Sequence, residues 1–317
     1  MTLIAILLAM ATERYWHPLS SYRLFSPLVS WRDVLASRCG QRGWFDGAVG
    51  VLLTVAPAVL IIALLQYGLA AADGVLMWLL KLGFSLLILV ACVGDQRFGG
   101  HMRHYLKAVA EGDTAAASLY LSRISSRSFS ADNLRQLNRD FLGLLLIRLN
   151  ERVLALLFWF VVLGPLGAVL YRSVAQLYDT TGSGLERSPE DKGFADAGFH
   201  GDGYRDAAQR LKGIMNWLPA RLTALCYAMI GSFTDAMQLW RDDPQRPDDD
   251  WVMANDRLLL DVGIGALQLQ SDYVDGPDDL DPALACEHVL VVRSLSRRTL
   301  LAWVTILALM TLVGWLG

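Results

Sequence analysis

The chain has 317 residues, of which 54% are hydrophobic and 19% are charged. Soluble domains carry about 25% charged residues, so this composition favours a membrane protein, and the apolar blocks along the chain exclude disorder. The formal net charge of −3 excludes a polycationic nucleic-acid-binding protein. The charges are unevenly divided: residues 1–152 carry 15 basic and 10 acidic side chains, whereas residues 172–298 carry 13 and 21.

Four stretches are long and apolar enough to cross a bilayer, which takes about 20 residues. They are residues 48–65, 75–93, 153–170 and 300–316. Two more stretches are candidates: residues 2–11 are too short to cross and are expected to begin an uncleaved interfacial helix, and residues 217–233 contain Arg221. The predicted fold is therefore all-α, a polytopic helical membrane protein with helical regions outside the bilayer.

The apolar stretches divide the chain into six segments. These are an interfacial helix with a basic cytoplasmic segment (1–47), a membrane hairpin (48–93), a basic helical cytoplasmic region (94–152), a membrane helix (153–171), an acidic extramembrane region (172–298) and a C-terminal membrane helix (299–317). Within the basic region, Leu134, Leu137 and Phe141 begin an apolar spacing that predicts a helix over 134–149. Asp113 is expected to cap another helix that starts at the following alanines.

The distribution of Lys and Arg predicts the orientation of the chain in the membrane. Residues 12–47 hold five and residues 94–152 hold nine, whereas the turn 66–74 holds none. Because cytoplasmic loops are enriched in basic residues, we expect both basic segments in the cytoplasm and an exit of the chain near Tyr171. The side of residues 234–298 depends on whether 217–233 crosses; the arginines just before the last span favour the cytoplasm.

Charged residues at the ends of the apolar stretches are the candidate ligand-binding groups. Such charges are often functional when they face the interior of a helical bundle, although they also serve as topology anchors. They are Arg148, Glu151, Arg172 and Arg221, together with the pair His101 and His104, whose basic surroundings favour an anionic headgroup or phosphate over a metal. No metal site is predicted, and the four cysteines are expected to be reduced and structural.

Two motifs carry a resemblance to a known family. The first is the run 157–172, with a Gly-Pro-x-Gly element, and the second is the Asn-Trp-x-Pro-x-Arg-Leu run 216–222. Together they resemble the AmpE/CobD (CbiB) membrane family, over most of the chain. The motif residues are Phe158, Trp159, Gly164, Pro165, Gly167, Tyr171, Trp217 and Pro219. His17-Pro18 and the Glu111-Gly-Asp113 region are also similar to that family.

The resemblance implies one of two functions. The synthase branch joins an amino alcohol to a corrinoid carboxylate with ATP and magnesium, and it has an acidic cluster where this chain keeps only Glu151. The long polar loop and the lost cluster resemble the AmpE branch instead. We therefore expect a multi-pass protein of the bacterial inner membrane that regulates β-lactamase induction in response to cell-wall stress or peptidoglycan recycling, without catalytic activity or cofactors. Its expected partners are lipid, an anionic lipid or cell-wall ligand, the AmpD amidase and further copies of itself. The alternative is an ATP- and magnesium-dependent amide-forming membrane enzyme.

Overall fold

The computed structural model describes residues 21–39, 43–70, 74–93, 97–125, 129, 133–181, 202–242, 250–273 and 280–313. Its regular elements are all helices, which confirms the predicted fold class. They are α1 (Ser21–Cys39), α2 (Ala48–Ala70), α3 (Val75–Val93), α4 (Arg97–Ala110), α5 (Thr114–Ser125), α6 (Leu134–Leu149), a π-helix (Asn150–Leu154), α7 (Ala155–Leu163), α8 (Pro165–Thr181), α9 (Asp202–Ile230), α10 (Phe233–Asp242), α11 (Trp251–Ala266), α12 (Gln270–Tyr273) and α13 (Pro282–Leu312). The expected interfacial helix near residues 2–11 lies outside the described residues.

The chain forms two compact units. Unit 1 contains Met1–Asp95, Ala155–Met215 and Ile306–Gly317, and unit 2 contains Gln96–Leu154 and Asn216–Thr305. Helices α9 and α13 therefore contribute residues to both units, as does the continuous run of α6, the π-helix and α7.

Two helices of unit 1 are apolar and long enough to cross a membrane within the described residues. They cover Ala48–Leu69 and Val75–Cys92. In the most apolar 18-residue stretch of each helix, only 22% and 17% is buried. A core helix of a soluble protein would be mostly buried, whereas these helices expose large side chains such as Leu64 and Leu76. Both helices lie within residues 48–93, the segment predicted to form a membrane hairpin.

The predicted span 153–170 is not one continuous helix. Helix α7 ends at Leu163, Gly164 adopts φ +69°, and α8 begins at Pro165. A Cβ atom on Gly167 would collide with the carbonyl oxygen of Trp159. Residues eight apart in a straight helix are separated by about 12 Å, so α7 and α8 fold back on each other as a hairpin. This corrects the expectation of one continuous helix over 153–171, whereas the side on which the chain continues after Tyr171 stays a prediction.

Hydrogen bonds fix both ends of α8 in unit 1. At its start, the backbone N–H of Leu166 donates to Oε1 of Gln66 near the end of α2, at 3.3 Å. Near its other end, Arg32 of α1 donates to Oγ1 of Thr180 at 2.9 Å. Because the start of α8 meets the end of α2, and the two helices pack along each other, α8 runs antiparallel to α2.

The core of unit 2 is built by α4, α5, α6 and α9–α13. Helix α6 spans Leu134–Leu149 as predicted and buries Leu137, Phe141 and Leu146. The side-chain oxygen of Asn133 accepts the backbone N–H of Arg135 at 2.8 Å and so caps its first turn. Asp113 caps α5 as predicted, since its Oδ1 accepts the N–H of Ala116 at 2.8 Å.

The two remaining candidate membrane segments lie in long helices. Residues 217–230 form the second half of α9, where Ala220, Ala224 and Tyr227 pack into the core of unit 2. Residues 300–312 form the end of α13, which exposes Leu301 and Leu309. Among the described residues, neither segment meets the length and composition that α2 and α3 meet.

Candidate functional site

A fully buried polar cluster in unit 2 links the π-helix to α9. Asn150, the first residue of the π-helix, donates from Nδ2 to Oδ1 of Asn216 at 2.8 Å. Its Oδ1 accepts a hydrogen bond from the hydroxyl of Thr223, also at 2.8 Å. Unpaired amides are costly to bury, so these reciprocal bonds specify how the two helices pack.

Polar side chains on one face of α9 bond to the segment where α6 changes into the π-helix. Asn216, Thr223 and Tyr227 are seven and four residues apart, a spacing that places them on one side of a helix. The hydroxyl of Tyr227 donates to the carbonyl oxygen of Leu146 in the last turn of α6, at 3.1 Å. Single π-turns within α-helices are frequent at functional sites, which makes this segment the candidate site.

Glu151 and Arg148 form an ion pair beside this cluster. Nη1 of Arg148 lies 3.7 Å from Oε2 of Glu151, and their side chains are 20% and 10% exposed. Nη2 of Arg148 also lies 3.5 Å from the carbonyl oxygen of Ile124. A charge-assisted contact is usually about 2.7–2.9 Å, so the Arg148–Glu151 ion pair is longer than an optimal one.

The side chain of Arg221 contacts Trp217, another residue of the same motif in α9. Its guanidinium lies 4.0 Å from the centre of the Trp217 ring, and its Nη1 donates to the carbonyl of Trp217 at 3.1 Å and to Oδ1 of Asn255 at 3.3 Å. Pro219, between them in sequence, is buried inside the same helix. The second family motif therefore places Asn216 towards the π-helix and Arg221 towards α11.

The first family motif builds the α7–α8 hairpin of unit 1. Gly164 supplies the positive φ of the turn, Pro165 begins α8, and Gly167 permits the close approach to α7. Trp159 packs edge-on against Phe158, and its Nε1 donates to the carbonyl of Met215 at 3.1 Å. Tyr171 is buried in the same unit, so these motif residues shape the fold.

The other predicted ligand-binding residues are not part of this arrangement. Arg172 lies on α8 of unit 1, and its buried Nε has no hydrogen-bond partner among the described residues. His104 is exposed on α4 and stacks on Tyr120, with 5.3 Å between ring centres. The side chain of His101 lies outside the described residues. The predicted His101–His104 pair therefore stays a prediction.

Sequence reasoning missed Asn150, Thr223 and Tyr227. Asn150 lies in the run that corresponds to the acidic cluster of the synthase branch. Its hydrogen-bond partners, Asn216 and Thr223, are 66 and 73 residues away in the sequence. The available signal was the polar pair Asn216 and Thr223, which share one face of α9 in a stretch, residues 213–230, whose only charged residue is Arg221. A buried polar face needs a polar partner.

The described residues do not fit a magnesium ion. Among them, no three His, Cys, Asp or Glu side chains come together in a way that could hold a metal. Glu151 is the only carboxylate of its run, between Arg148 and Arg152. Magnesium prefers an octahedral set of oxygen ligands, and neighbouring arginines disfavour a cation.

A surface groove of about 390 Å³ lies elsewhere in unit 2. It contains none of the predicted site residues. Its lining includes Ile230, Ser232, Gln268, Ser294 and Arg298, contributed by the ends of α9 and α11 and by α13. The polar cluster at the π-helix therefore stays the candidate site.

The helical fold, the two candidate membrane helices and the two motifs identify the chain as a member of a membrane-associated family of helical proteins. The chain matches the model of the CobD/Cbib protein family over residues 2–269 and belongs to that family. No solved structure gives a significant match.

Its relatives include proteins named for cobalamin biosynthesis. The cobalamin biosynthesis protein CobD of Chromobacterium violaceum is 30% identical over 255 residues, which cover 80% of this chain and 73% of the relative. CobD of Stutzerimonas stutzeri is 29% identical, covering 71% of this chain and 66% of the relative. The probable CobD of Pyrococcus abyssi is 29% identical, covering 65% of this chain and 63% of the relative.

These comparisons correct the function expected from the sequence. The family is confirmed, but the relatives are named for cobalamin biosynthesis. The prediction of an AmpE-type signalling protein that modulates β-lactamase induction is therefore wrong. The expectation that the chain is not an enzyme is contradicted for the same reason, because the family is associated with a biosynthetic activity.

Proposed function

We propose that this chain is a membrane enzyme of cobalamin biosynthesis that forms an amide between an amino alcohol and a corrinoid carboxylate. The reaction is the one that the resemblance to the synthase branch implies. The observation that carries the proposal is the buried contact between Asn150 and Asn216, which joins the region of the synthase's acidic cluster to the second family motif. Both residues lie within the family match.

Amide formation needs three contributions at the reacting carbon. The carboxylate must first carry a leaving group, which ATP supplies in the synthase branch and which departs as the new C–N bond forms. The amine loses a proton as its nitrogen attacks, and the oxyanion that develops must be stabilised by a positive charge or hydrogen-bond donors. In this proposal Glu151 accepts the proton and Arg148 stabilises the oxyanion. No step is assigned to magnesium, because the described residues do not fit it.

The proposed location is the bacterial inner membrane, crossed several times. Helices α2 and α3 support it by their length, composition and exposed apolar side chains. The basic residues of 12–47 and 94–152 support a cytoplasmic position for the segments that flank this hairpin. Contact with anionic lipids and self-association belong to the same proposal.

The test is a product assay on the purified full-length protein in detergent. The protein is incubated with a corrinoid carboxylic acid, an isotope-labelled amino alcohol and ATP with magnesium, and the amide product is followed by mass spectrometry. We expect product from the wild type and a rate at least about 100-fold lower for Glu151→Gln, the effect of removing a general base.

Glu111→Gln is the matched control. Lys107 and Glu111 form an ion pair of the same 3.7 Å length, but their side chains are 74% and 62% exposed. The control should keep the wild-type rate. A folded wild-type protein that forms no amide would overturn the proposed activity, and a fully active Glu151→Gln would remove Glu151 from the mechanism.

A further inference from the structure

A line of buried polar side chains joins α4, α6, α12 and the start of α13. The Tyr105 hydroxyl donates to Oδ1 of Asn138 at 3.3 Å, and Nδ2 of Asn138 donates to the Tyr273 hydroxyl at 2.7 Å. The Tyr273 hydroxyl lies 2.7 Å from Nδ1 of His288. Nε2 of His288 lies 3.2 Å from Oδ2 of Asp272. Asp272 is the member of this line that reaches solvent.

The partners determine where each proton lies. A carbonyl oxygen can only accept, so Nδ2 of Asn138 is the atom that faces the Ala285 carbonyl at 3.2 Å. Since this same Nδ2 also donates to the Tyr273 oxygen, the phenolic proton is directed to Nδ1 of His288. Nδ1 must then be unprotonated. The proton of the neutral imidazole is on Nε2, where it faces the Asp272 carboxylate.

A second proton on His288 is incompatible with this arrangement. A proton on Nδ1 would place two donors against the Tyr273 oxygen and leave the phenolic proton without an acceptor in the line. Both rings are almost fully buried, at 3% and 4% exposure, so water cannot replace the lost acceptor. A buried donor without a partner is costly. The packed arrangement therefore prefers the neutral imidazole.

Burial and the neighbouring carboxylates have opposite effects on the pKa of His288. Burial lowers the pKa of His288 below its ordinary value, and this effect exceeds the raising effects of Asp272 and Glu287. The titratable and charged groups packed around the imidazole and its hydrogen-bond partners are Asp272, Tyr273, Glu287, Tyr105, Cys286 and Asp140. The two carboxylates nearest the imidazole favour its protonation, so removing one should strengthen the preference for the neutral form.

We infer that Asp272, Tyr273 and His288 form a proton-sensitive latch that holds the start of α13 against α6. The latch is closed while the imidazole is neutral and weakens when it is protonated. Asp272, Tyr273 and His288 lie beyond residue 269, where the family match ends. Asn138, which bonds to Tyr273, lies within the match. The inference concerns a conformational device and does not depend on the proposed reaction.

The direction of the pH effect follows from linkage. An imidazole released from the latch has a pKa of about 6.5, and the latched imidazole has a lower one. The latch is therefore fully effective above about pH 6.5 and loses strength as the pH falls through the interval between the two values. One proton is taken up per opening, so the opening equilibrium changes at most about tenfold per pH unit.

Hydrogen–deuterium exchange of the full-length protein in detergent tests the latch. Protection of amides 282–289, corrected for intrinsic exchange, is compared between about pH 7.5 and about pH 5. We expect a loss of several-fold to about tenfold in this segment. Helix α11 of the same unit is the internal reference and should not share that loss. An equal change in both segments would overturn the inference.

Two variants separate a latch from a merely structural contact. His288→Gln should lower protection of 282–289 at neutral pH and abolish its pH dependence. Asp272→Asn keeps an acceptor for Nε2 but removes the charge that favours the imidazolium, so the loss on acidification should become larger. Glu287→Gln, whose carboxylate does not contact the imidazole, should change the pH profile less than Asp272→Asn. A pH dependence that survives in His288→Gln, or a smaller loss in Asp272→Asn, would contradict the latch.

Discussion

The backbone of Gly167 packs against the carbonyl oxygen of Trp159, eight residues earlier in the chain. No side chain larger than hydrogen fits there, and the approach is possible only because Gly164 reverses the chain at φ +69°. The Gly-Pro-x-Gly element of the family is thus explained by the shape of the α7–α8 hairpin.

Gly167→Ala should destabilise the protein by about 2 kcal/mol or more, because the methyl group displaces backbone atoms that cannot move aside. Gly164→Ala should cost about 1–3 kcal/mol, because alanine disfavours a positive φ. Thermal unfolding in detergent measures both. Gly83→Ala is the control, since a Cβ atom at this helical position meets no other atom within 4 Å. A control as damaging as Gly167→Ala would argue against the hairpin packing.

The hairpin also predicts which side of the bilayer residue 179 faces. Because α8 runs antiparallel to α2, Asp179→Cys should react with an impermeant thiol reagent from the same side as Trp44→Cys, which precedes α2. Val75→Cys, at the start of α3, should react from the opposite side. The four native cysteines, all unpaired, are first replaced. If residue 179 is labelled together with residue 75, the segment 153–170 crosses as a single helix.

Thr223→Val should destabilise unit 2 by about 1–3 kcal/mol. Valine has nearly the same shape but cannot donate to Oδ1 of Asn150, and a buried acceptor without a partner costs about this much. Thr305→Val on α13 is the matched control, because the exposed Thr305 hydroxyl donates to the Leu301 carbonyl of its own helix. Chemical unfolding compares the two variants. Equal effects would mean that the buried cluster contributes no more than an exposed helix residue.

Tyr204 should make the protein sensitive to alkali. Burial raises the pKa of Tyr204 to about 12, with a smaller raising effect from Asp33 and lowering effects from Thr54 and Arg32. The fold therefore favours the neutral phenol, and its contribution is complete below about pH 10 and lost as the pH rises towards 12.

Tyr204→Phe tests this dependence. It removes the 3.0 Å hydrogen bond to Thr54 and should lower the unfolding free energy by about 1 kcal/mol at neutral pH. The difference between wild type and variant should stay constant up to about pH 9 and then shrink. A difference that is unchanged at about pH 11 would show that the phenol does not ionise at the expense of the fold.

Local patterns were sufficient for several elements of this protein. The apolar spacing of residues 134–149 defines α6, and long apolar runs define α2 and α3, the second of them with Lys81 as its one charged residue. Periodicity and length are properties of neighbouring residues, so both can be read from the sequence. Asp113 as a helix cap and the Arg148–Glu151 pair were predictable for the same reason, since their partners are three residues away.

The sequence alone did not determine the direction of the chain at Gly164. Hydropathy records how apolar residues 153–170 are, and a hairpin is as apolar as a straight span. The reversal depends on a positive φ and on the packing of Gly167 against Trp159. The candidate site was equally hidden, because Asn150, Asn216 and Thr223 meet only after α9 has packed against the π-helix. The helices are determined by residues that are close in the sequence. The buried polar contacts of the candidate site join residues that are far apart in the sequence, so only the tertiary packing determines them.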